Sequence, residues 1–242
     1  MVDELRVDQT SYRDWRYSTR GDYHRNMDAS HPYYFSYQIK MKLVKQWLAS
    51  LPEDLKILDA GCGEGLLVED LQEQGRSAIG LDLNYSSQFV RQGSVKKMPF
   101  DDNSFDVVLL LDVLEHLPWT EQTTVLREIQ RVLKPEGFLG ISLPNLAHLS
   151  SRLRFLLRGY FIRTDDEANH IGERPINEFI WLLKTEQFKQ ISRHGITLTV
   201  PFLYESLICK QPKQWGWLHD VVQPFATPQL AMYNFMVWQH QP

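Results

Sequence analysis

The chain has 242 residues, 43% of them hydrophobic and 23% charged, with a formal net charge of −4. This length allows one large domain with a full core, and the composition is that of a soluble globular protein. The acidic balance gives no electrostatic reason to expect a nucleic-acid partner.

The N-terminus, MVDELRVDQTSYRDWRYS, is charged from its third residue and has no apolar core of signal-peptide length. The longest apolar run, FDVVLLLDVL, is interrupted by acids and is too short to span a bilayer. Two cysteines, Cys62 and Cys209, cannot form a disulfide framework, so a reducing cytoplasm is the expected location. Residues 1–52 are rich in aromatic and basic side chains and read as an N-terminal helical cap. Within them, Ile39, Leu43, Val44, Trp47 and Leu48 fall at helical spacing and predict a helix from about Ser36 to Leu51, stopped by Pro52. Such a helix can pad the main domain, close over a ligand, or do both.

From Lys56 strands and helices alternate. KILDA is a strand, GLLVEDLQEQG a helix closed by Gly75, and SAIGLDL a second strand. Tyr85 to Gln92 reads as a short helix, and SVKKMPF as a weak third strand with a turn. FDVVLLLDV has the pattern of a buried strand. TEQTTVLREIQRVLK is an amphipathic helix with Thr120 as its expected N-cap and Pro135 with Gly137 as its stop. GFLGISLP is a fifth strand. NLAHLSSRLRFLLRGYF and INEFIWLLKTEQF are helical, the second with Pro175 near its first turn. ITLTVPFL and LAMYNFMVWQ read as closing strands, separated by an irregular aromatic stretch, CKQPKQWGWLHDVVQPFATP. Without a clear crossover helix these two strands pair antiparallel. The expectation is an α/β fold: a doubly wound, mostly parallel seven-stranded sheet with an antiparallel C-terminal edge pair.

The stretch DAGCGEG, Asp59 to Gly65, turns a strand into a helix, as in the first unit of a nucleotide-binding sheet. Three ligands compete for it. A phosphate-binding P-loop needs a lysine that is absent. A dinucleotide turn needs GxGxxG, whereas this spacing is GxGxG. Asp59, at the strand end, would also face a pyrophosphate unfavourably but would suit a cationic ligand. Cys62 sits in the turn as a small residue rather than as a reactive thiol.

DAGCGEG resembles the first motif of class I S-adenosylmethionine-dependent methyltransferases. GLDLN, MPFDDNSFDVVLLLDVLEHL and LREIQRVLKPEGFLGISLPN continue the resemblance in order over roughly residues 55 to 145, and the nearest group is methyltransferase type 11. The resemblance implies S-adenosylmethionine as cofactor and a role for each matching residue. Gly61 and Gly63 let the methionine part pass close to the backbone, and Asp59 anchors its ammonium through water or a backbone bridge. Asp82 takes the ribose hydroxyls and Leu83 packs on the adenine. Lys97 and Met98 flank the adenine by backbone contacts, while Leu111 and Asp112 lie under the methionine and sulfonium.

Residues 53–242 then form the methyltransferase domain, with acceptor-side elements in 145–228. The implied activity is methyl transfer to a small or lipid-linked acceptor, with oxygen favoured over nitrogen or carbon. A non-catalytic cofactor-binding module that regulates a partner is the alternative. A catalytic base is not obligatory. His170, oriented by Asp166, His116 in LEHLP and His148 are the candidates. Tyr23, His24 and Arg25 are expected near the cofactor's carboxylate, Arg25 as an anion partner. SRLRFLLRGYFIR mixes arginine with leucine and phenylalanine. It packs inward as an ordinary amphipathic helix or makes a peripheral contact with anionic lipid. No metal-ligand spacing is present, and no metal is expected. On the acceptor side TEQF lacks the glycine common among relatives, and IGERPINEF replaces a more aromatic stretch, so no particular acceptor carries over.

Overall fold

The computed structural model describes residues 27–31, 33–163, 170–201, 203–208 and 210–241. Seven strands form one sheet: β1 (Ile57–Ala60), β2 (Ala78–Asp82), β3 (Val90–Gln92), β4 (Phe105–Leu111), β5 (Leu133–Pro144), β6 (Phe188–Ile196) and β7 (Tyr233–His240), in the spatial order β3-β2-β1-β4-β5-β7-β6. The β3, β2, β1, β4 and β5 neighbours pair parallel, and β7 runs antiparallel to both β5 and β6. The order reverses between β1 and β4, which places a crevice at their carboxyl ends.

Side-chain alternation assigns the two faces. Leu58, Val108, Leu110, Met236 and Trp238 point to one side, under α3 (Trp119–Val132) and α5 (Ile176–Thr185). Ile57, Val107, Leu109, Phe235 and Val237 point to the other, under α1 (Tyr34–Ala49) and α2 (Leu66–Glu73). Every strand that runs through the middle is therefore apolar on both faces, as a sheet buried on both sides requires. The described helix of the 1–52 segment, α1, buries Val44 and Leu48 in this core and sets Trp47 against Phe235, with ring centroids 5.8 Å apart. It is thus a covering layer of the sheet.

Several local expectations differ from the structure. No helix covers Tyr85 to Gln92; β3 begins there instead. Asp82 Oδ1 accepts the Asn84 and Tyr85 backbone N–H groups at 2.8 and 3.3 Å, and Ser87 Oγ accepts that of Phe89 at 3.1 Å. These side chains take the donors that a helical first turn would leave open. The last-but-one strand is Phe188–Ile196, upstream of ITLTVPFL. It is an edge strand, polar on its outer side, and the register slips between Gln190 and Ser192. Thr120 lies inside α3, whose N-cap is Pro118 and makes no side-chain cap bond. The stop after α3 comes at Val132, and β5 follows directly. The aromatic stretch before β7 holds two short helices, α6 (Pro212–Trp215) and α7 (Leu218–Val222).

α4 (Leu149–Arg158) is turned opposite to the inward-packing expectation. Its buried residues are Ser150 and Ser151, whereas Leu156 and Leu157 are 79% and 78% exposed. Among the described residues no helix is long and apolar enough to cross a membrane.

Candidate active site

The glycine turn is built as its spacing requires. Gly61, Gly63 and Gly65 have φ of 83°, 56° and 79°, left-handed values at which L side chains are strained. A Cβ on Gly61 would strike Val113, and one on Gly65 would come within 2.5 Å of Val90. Above Gly63 the space is open within 4 Å, so a ligand can lie directly on the backbone there. Cys62 packs its sulfur against Gly80, and burial pushes its thiol far above the ordinary range. It is a spacer, as its place in the turn suggested.

Asp82 closes the turn from β2: its Oδ2 accepts the Gly63 N–H at 2.9 Å. Oδ2 keeps a lone pair for a hydroxyl, so the residue both shapes the loop and can face a ribose. Leu83, next to it, is 49% exposed, an apolar surface available at the cleft rim.

Asp59 is buried at the end of β1. Burial raises its carboxyl to about 7; Lys40 nearby pulls it down and Asp82 pushes it up. A cationic group arriving here would meet an acid that gains from being neutralised. This chemistry fits the ammonium of S-adenosylmethionine.

Asp112 ends β4 with φ 54°, an unusual value for a residue with a Cβ. Three side chains hold it: Lys40 Nζ and the Tyr33 hydroxyl, each 2.5 Å from Oδ2, and the Ser142 hydroxyl on Oδ1. Burial alone would raise this carboxyl. Lys40, with the Ser142 and Tyr33 hydrogen bonds, outweighs burial and holds it well below the carboxylate range. Lys40 also lies 5.3 Å from the ring centroids of both Tyr33 and Tyr37. Burial, with the Glu64, Asp59 and Asp112 carboxylates, pushes the Tyr37 phenol up to about 12. Lys40, Tyr33 and Tyr37 were not among the residues singled out in the sequence. One signal was present: Lys40 lies on the same stripe of α1 as Ser36, Val44 and Leu48, all buried.

The adenine-side expectation needs a correction at Met98. Met98 is buried, its N–H donates to Glu128 Oε1 at 2.6 Å, and its carbonyl accepts from Arg131 at 3.1 Å. Its backbone is committed to α3 and is not offered to a ligand. Lys97 is exposed. β3 pairs Gln92 with Asp82, so the chain leaves the ribose end of the sheet through Gly93, Ser94 and Val95. Those residues, rather than Met98, stand beside Asp82. Leu111 packs with the cluster under α1 and α2, directly before Asp112.

The three candidate histidines divide. His148 is buried, its Nδ1 is 2.8 Å from Thr199 Oγ1, and burial lowers its imidazole to about 4. It joins the start of α4 to the 197–200 segment as a neutral structural group, not as a base facing the cleft. His116 and His170 come together, their ring centroids 4.8 Å apart. Gln122 of α3 makes the junction. Its Nε2 donates to the carbonyls of Leu114 and Leu117 on one side and to that of Gly172 on the other. Gly172 N–H returns a bond to the Glu115 carbonyl at 2.8 Å. Glu115 is buried beside His170; burial, with Asp112 and Glu173, pushes its carboxyl up to about 8 against the pull of His170. Tyr23, His24, Arg25 and Asp166 lie outside the described residues. A shallow concavity at Lys184, Gln187 and Lys189 lies at the start of β6, the far end of the sheet, and has no part in this site.

Comparison with known proteins agrees with this arrangement. Residues 58–141 match the family model described as "Methyltransferase domain". The "Probable S-adenosylmethionine-dependent methyltransferase" of Mycolicibacterium smegmatis is 35% identical over 114 residues, 43% of this chain and 44% of the relative. The ubiquinone biosynthesis O-methyltransferase of Bartonella bacilliformis is 28% identical over 159 residues, 59% of this chain and 63% of the relative. The matches thus span less than two thirds of either relative. The crystal structure of Burkholderia thailandensis 1,6-didemethyltoxoflavin-N1-methyltransferase, with bound 1,6-didemethyltoxoflavin and S-adenosylhomocysteine, shares the fold. Its TM-score is 0.55 at 18% identity, over 97% of this chain and 87% of that one. The sheet order and the glycine turn are those of this fold, and residues 58–141 match the methyltransferase domain.

Proposed function

We propose that this chain transfers a methyl group from S-adenosylmethionine to an oxygen atom of a small-molecule or lipid-linked acceptor. The observation that carries the reading is the open left-handed turn at Gly63, set between a buried acid, Asp59, and a second acid, Asp82, at the sheet's reversal point. A turn flanked by two carboxylates favours a cationic ligand over a pyrophosphate. S-adenosylmethionine supplies an electrophilic methyl group on a sulfonium. In this reading Asp59 holds the ammonium and Asp82 the ribose hydroxyls, while Leu83 covers the adenine. Lys40, Tyr33 and Asp112 fix the wall beside the methionine. The residues' main contribution to rate is alignment of two reactants. The oxygen preference is supported by the likeness to the ubiquinone biosynthesis O-methyltransferase.

Calorimetric titration with S-adenosylhomocysteine, with NADH as control, tests the reading. Micromolar affinity for the first and none for the second is expected; affinity for NADH alone would sink it. Asp82→Ala should weaken S-adenosylhomocysteine binding about 100-fold, because it removes charged hydrogen bonds to the ligand worth roughly 1.5–3 kcal/mol each. An unchanged affinity would remove Asp82 from the ribose site.

A lipid-linked acceptor is supported by α4. Leu156 and Leu157 face solvent, Phe155 stacks on Phe161 at 4.5 Å, and Arg158 stands at the same end. Exposed apolar residues beside arginine suit an anionic lipid surface. Sedimentation with phosphatidylglycerol vesicles should retain the protein, and the double change Leu156→Glu, Leu157→Glu should cut the retained fraction at least several-fold. Equal retention of both proteins would rule out α4 as the contact.

A further inference from the structure

The cluster at the end of the 3-10 turn Leu114–His116 has a property that methyl transfer alone does not explain. Glu115, His116 and His170 each bring one donor atom into a group whose members lie within 4.8 Å of one another. Two imidazole nitrogens and a carboxylate oxygen are the donor set of a borderline divalent cation. A second observation is independent of that grouping. Glu115 is 1% exposed, and among the described residues its Oε2 has no hydrogen-bond partner. Asp112 and Glu173 are close enough to repel its charge. A buried carboxylate oxygen without a partner beside two further acids is costly in any state in which it is charged. A bound dication would satisfy it and offset the local negative charge.

Hydrogen bonds brace the two segments that carry the three donors. Gln122 ties both segments to α3, and Arg174 Nε donates to Gln122 Oε1 at 2.9 Å. Glu173 Oε2 lies 3.8 Å from His170 Nδ1, so a carboxylate stands beside the imidazole, and carboxylates in that position orient metal-binding histidines.

We propose that Glu115, His116 and His170 form a site for a divalent transition-metal ion, of the Zn²⁺ type, immediately beyond the end of β4. Three protein donors leave at least one coordination position for an exchangeable oxygen. The site begins three residues after Asp112 in the chain, and the proposal assigns its open position to the acceptor side of the cleft. The ligand class is an acceptor with a hydroxyl or a pair of neighbouring oxygens. His116 and His170 then act as ligands, not as bases. What the ion would hold rests on the methyl-transfer reading; the binding of the ion does not.

The test uses the whole chain, stripped with chelator and titrated with Co²⁺, whose visible absorption reports a low-coordinate nitrogen–oxygen site, and then with Zn²⁺ in competition. One equivalent should bind with micromolar or tighter affinity. His170→Ala and the more exposed His116→Gln should each weaken binding at least tenfold, whereas His194→Ala, on the exposed edge strand, should not. Circular dichroism checks each variant; if His170→Ala fails to fold, His116→Gln and Glu115→Gln decide. No uptake by the wild type, or uptake unchanged by these substitutions, would overturn the site. S-adenosylhomocysteine affinity measured on the same samples separates the two readings. A protein that binds the nucleoside but no metal loses only this proposal, and one that binds metal but no nucleoside loses only the methyl-transfer reading.

Discussion

Lys40→Met should destabilise the protein by about 3–5 kcal/mol, the range for removing one partner of a buried ion pair. Lys40 is buried, its Nζ is 2.5 Å from Asp112, and it also lowers Asp59. Without it the Tyr33 and Ser142 hydroxyls still donate to Asp112, but the charge of the carboxylate is uncompensated. The pH dependence changes sign as well. In the wild type the folded-state carboxyl is held below its unfolded value, so its contribution is present above the unfolded pKa of about 3.8 and is lost only as pH falls through the lower, folded one. In the variant burial dominates, the carboxyl rises, the native state binds the extra proton, and stability falls as pH rises. Urea midpoints at pH 5 and pH 8 check this. The wild type should show no loss from Asp112 between them, whereas the variant should be weaker at pH 8. Lys40→Met combined with Asp112→Asn should recover much of the loss, since an amide keeps the hydrogen-bonding shape without the charge. A variant as stable as the wild type at both pH values would show that the pair does not matter to the fold.

The affinity for S-adenosylhomocysteine should rise with pH up to about 7 and then level off. Asp59 is raised to about 7 by burial, and only its ionised form pairs with an ammonium. Below pH 7 each binding event must therefore release a proton, and affinity should change by up to tenfold per pH unit. Titrations in buffers of different ionisation enthalpy measure the proton count directly. Asp59→Asn should abolish the pH dependence and weaken binding about 100-fold at pH 8. The ligand-free stability moves the other way. A carboxyl raised above its unfolded value contributes fully below that value and loses its contribution as pH rises through about 7. Asp59→Asn should accordingly stabilise the ligand-free protein at pH 8, by about 2–4 kcal/mol for a shift of this size. A wild-type affinity that is flat between pH 5.5 and 7.5 would remove Asp59 from the ammonium site.

These two residues illustrate how differently the site could be read in advance. Asp59 was legible because its neighbours are local: a strand, an acid and three glycines within seven residues, each with a conformational reason to be there. Asp82 was legible for the same reason, at the end of a short apolar strand. Lys40 was not, because its partner Asp112 is 72 residues away in the chain, and nothing local marks it out from Lys42 and Lys45 on the same helix. The third strand was misplaced because its three residues, Val90–Gln92, are too few for a periodic pattern. The turn before it is held by Asp82 and Ser87 side chains rather than by hydrophobic spacing. The edge strand Phe188–Ile196 was missed because an edge exposes polar residues and breaks the alternation on which strand recognition depends. The outward face of α4 was missed because helical spacing alone does not say which face the rest of the chain covers.

The sequence by itself determined the alternation of strands and helices, the left-handed glycine turn and the acids on either side of it, because each follows from interactions between near neighbours. Only the tertiary structure decided that Lys40 pairs with Asp112, that Met98 is committed to Glu128 and Arg131, and that Gln122 draws Glu115 and His116 against His170. The physical reason is that burial and charge pairing depend on which distant segments the sheet order brings to one edge, and no local pattern of residues carries that order.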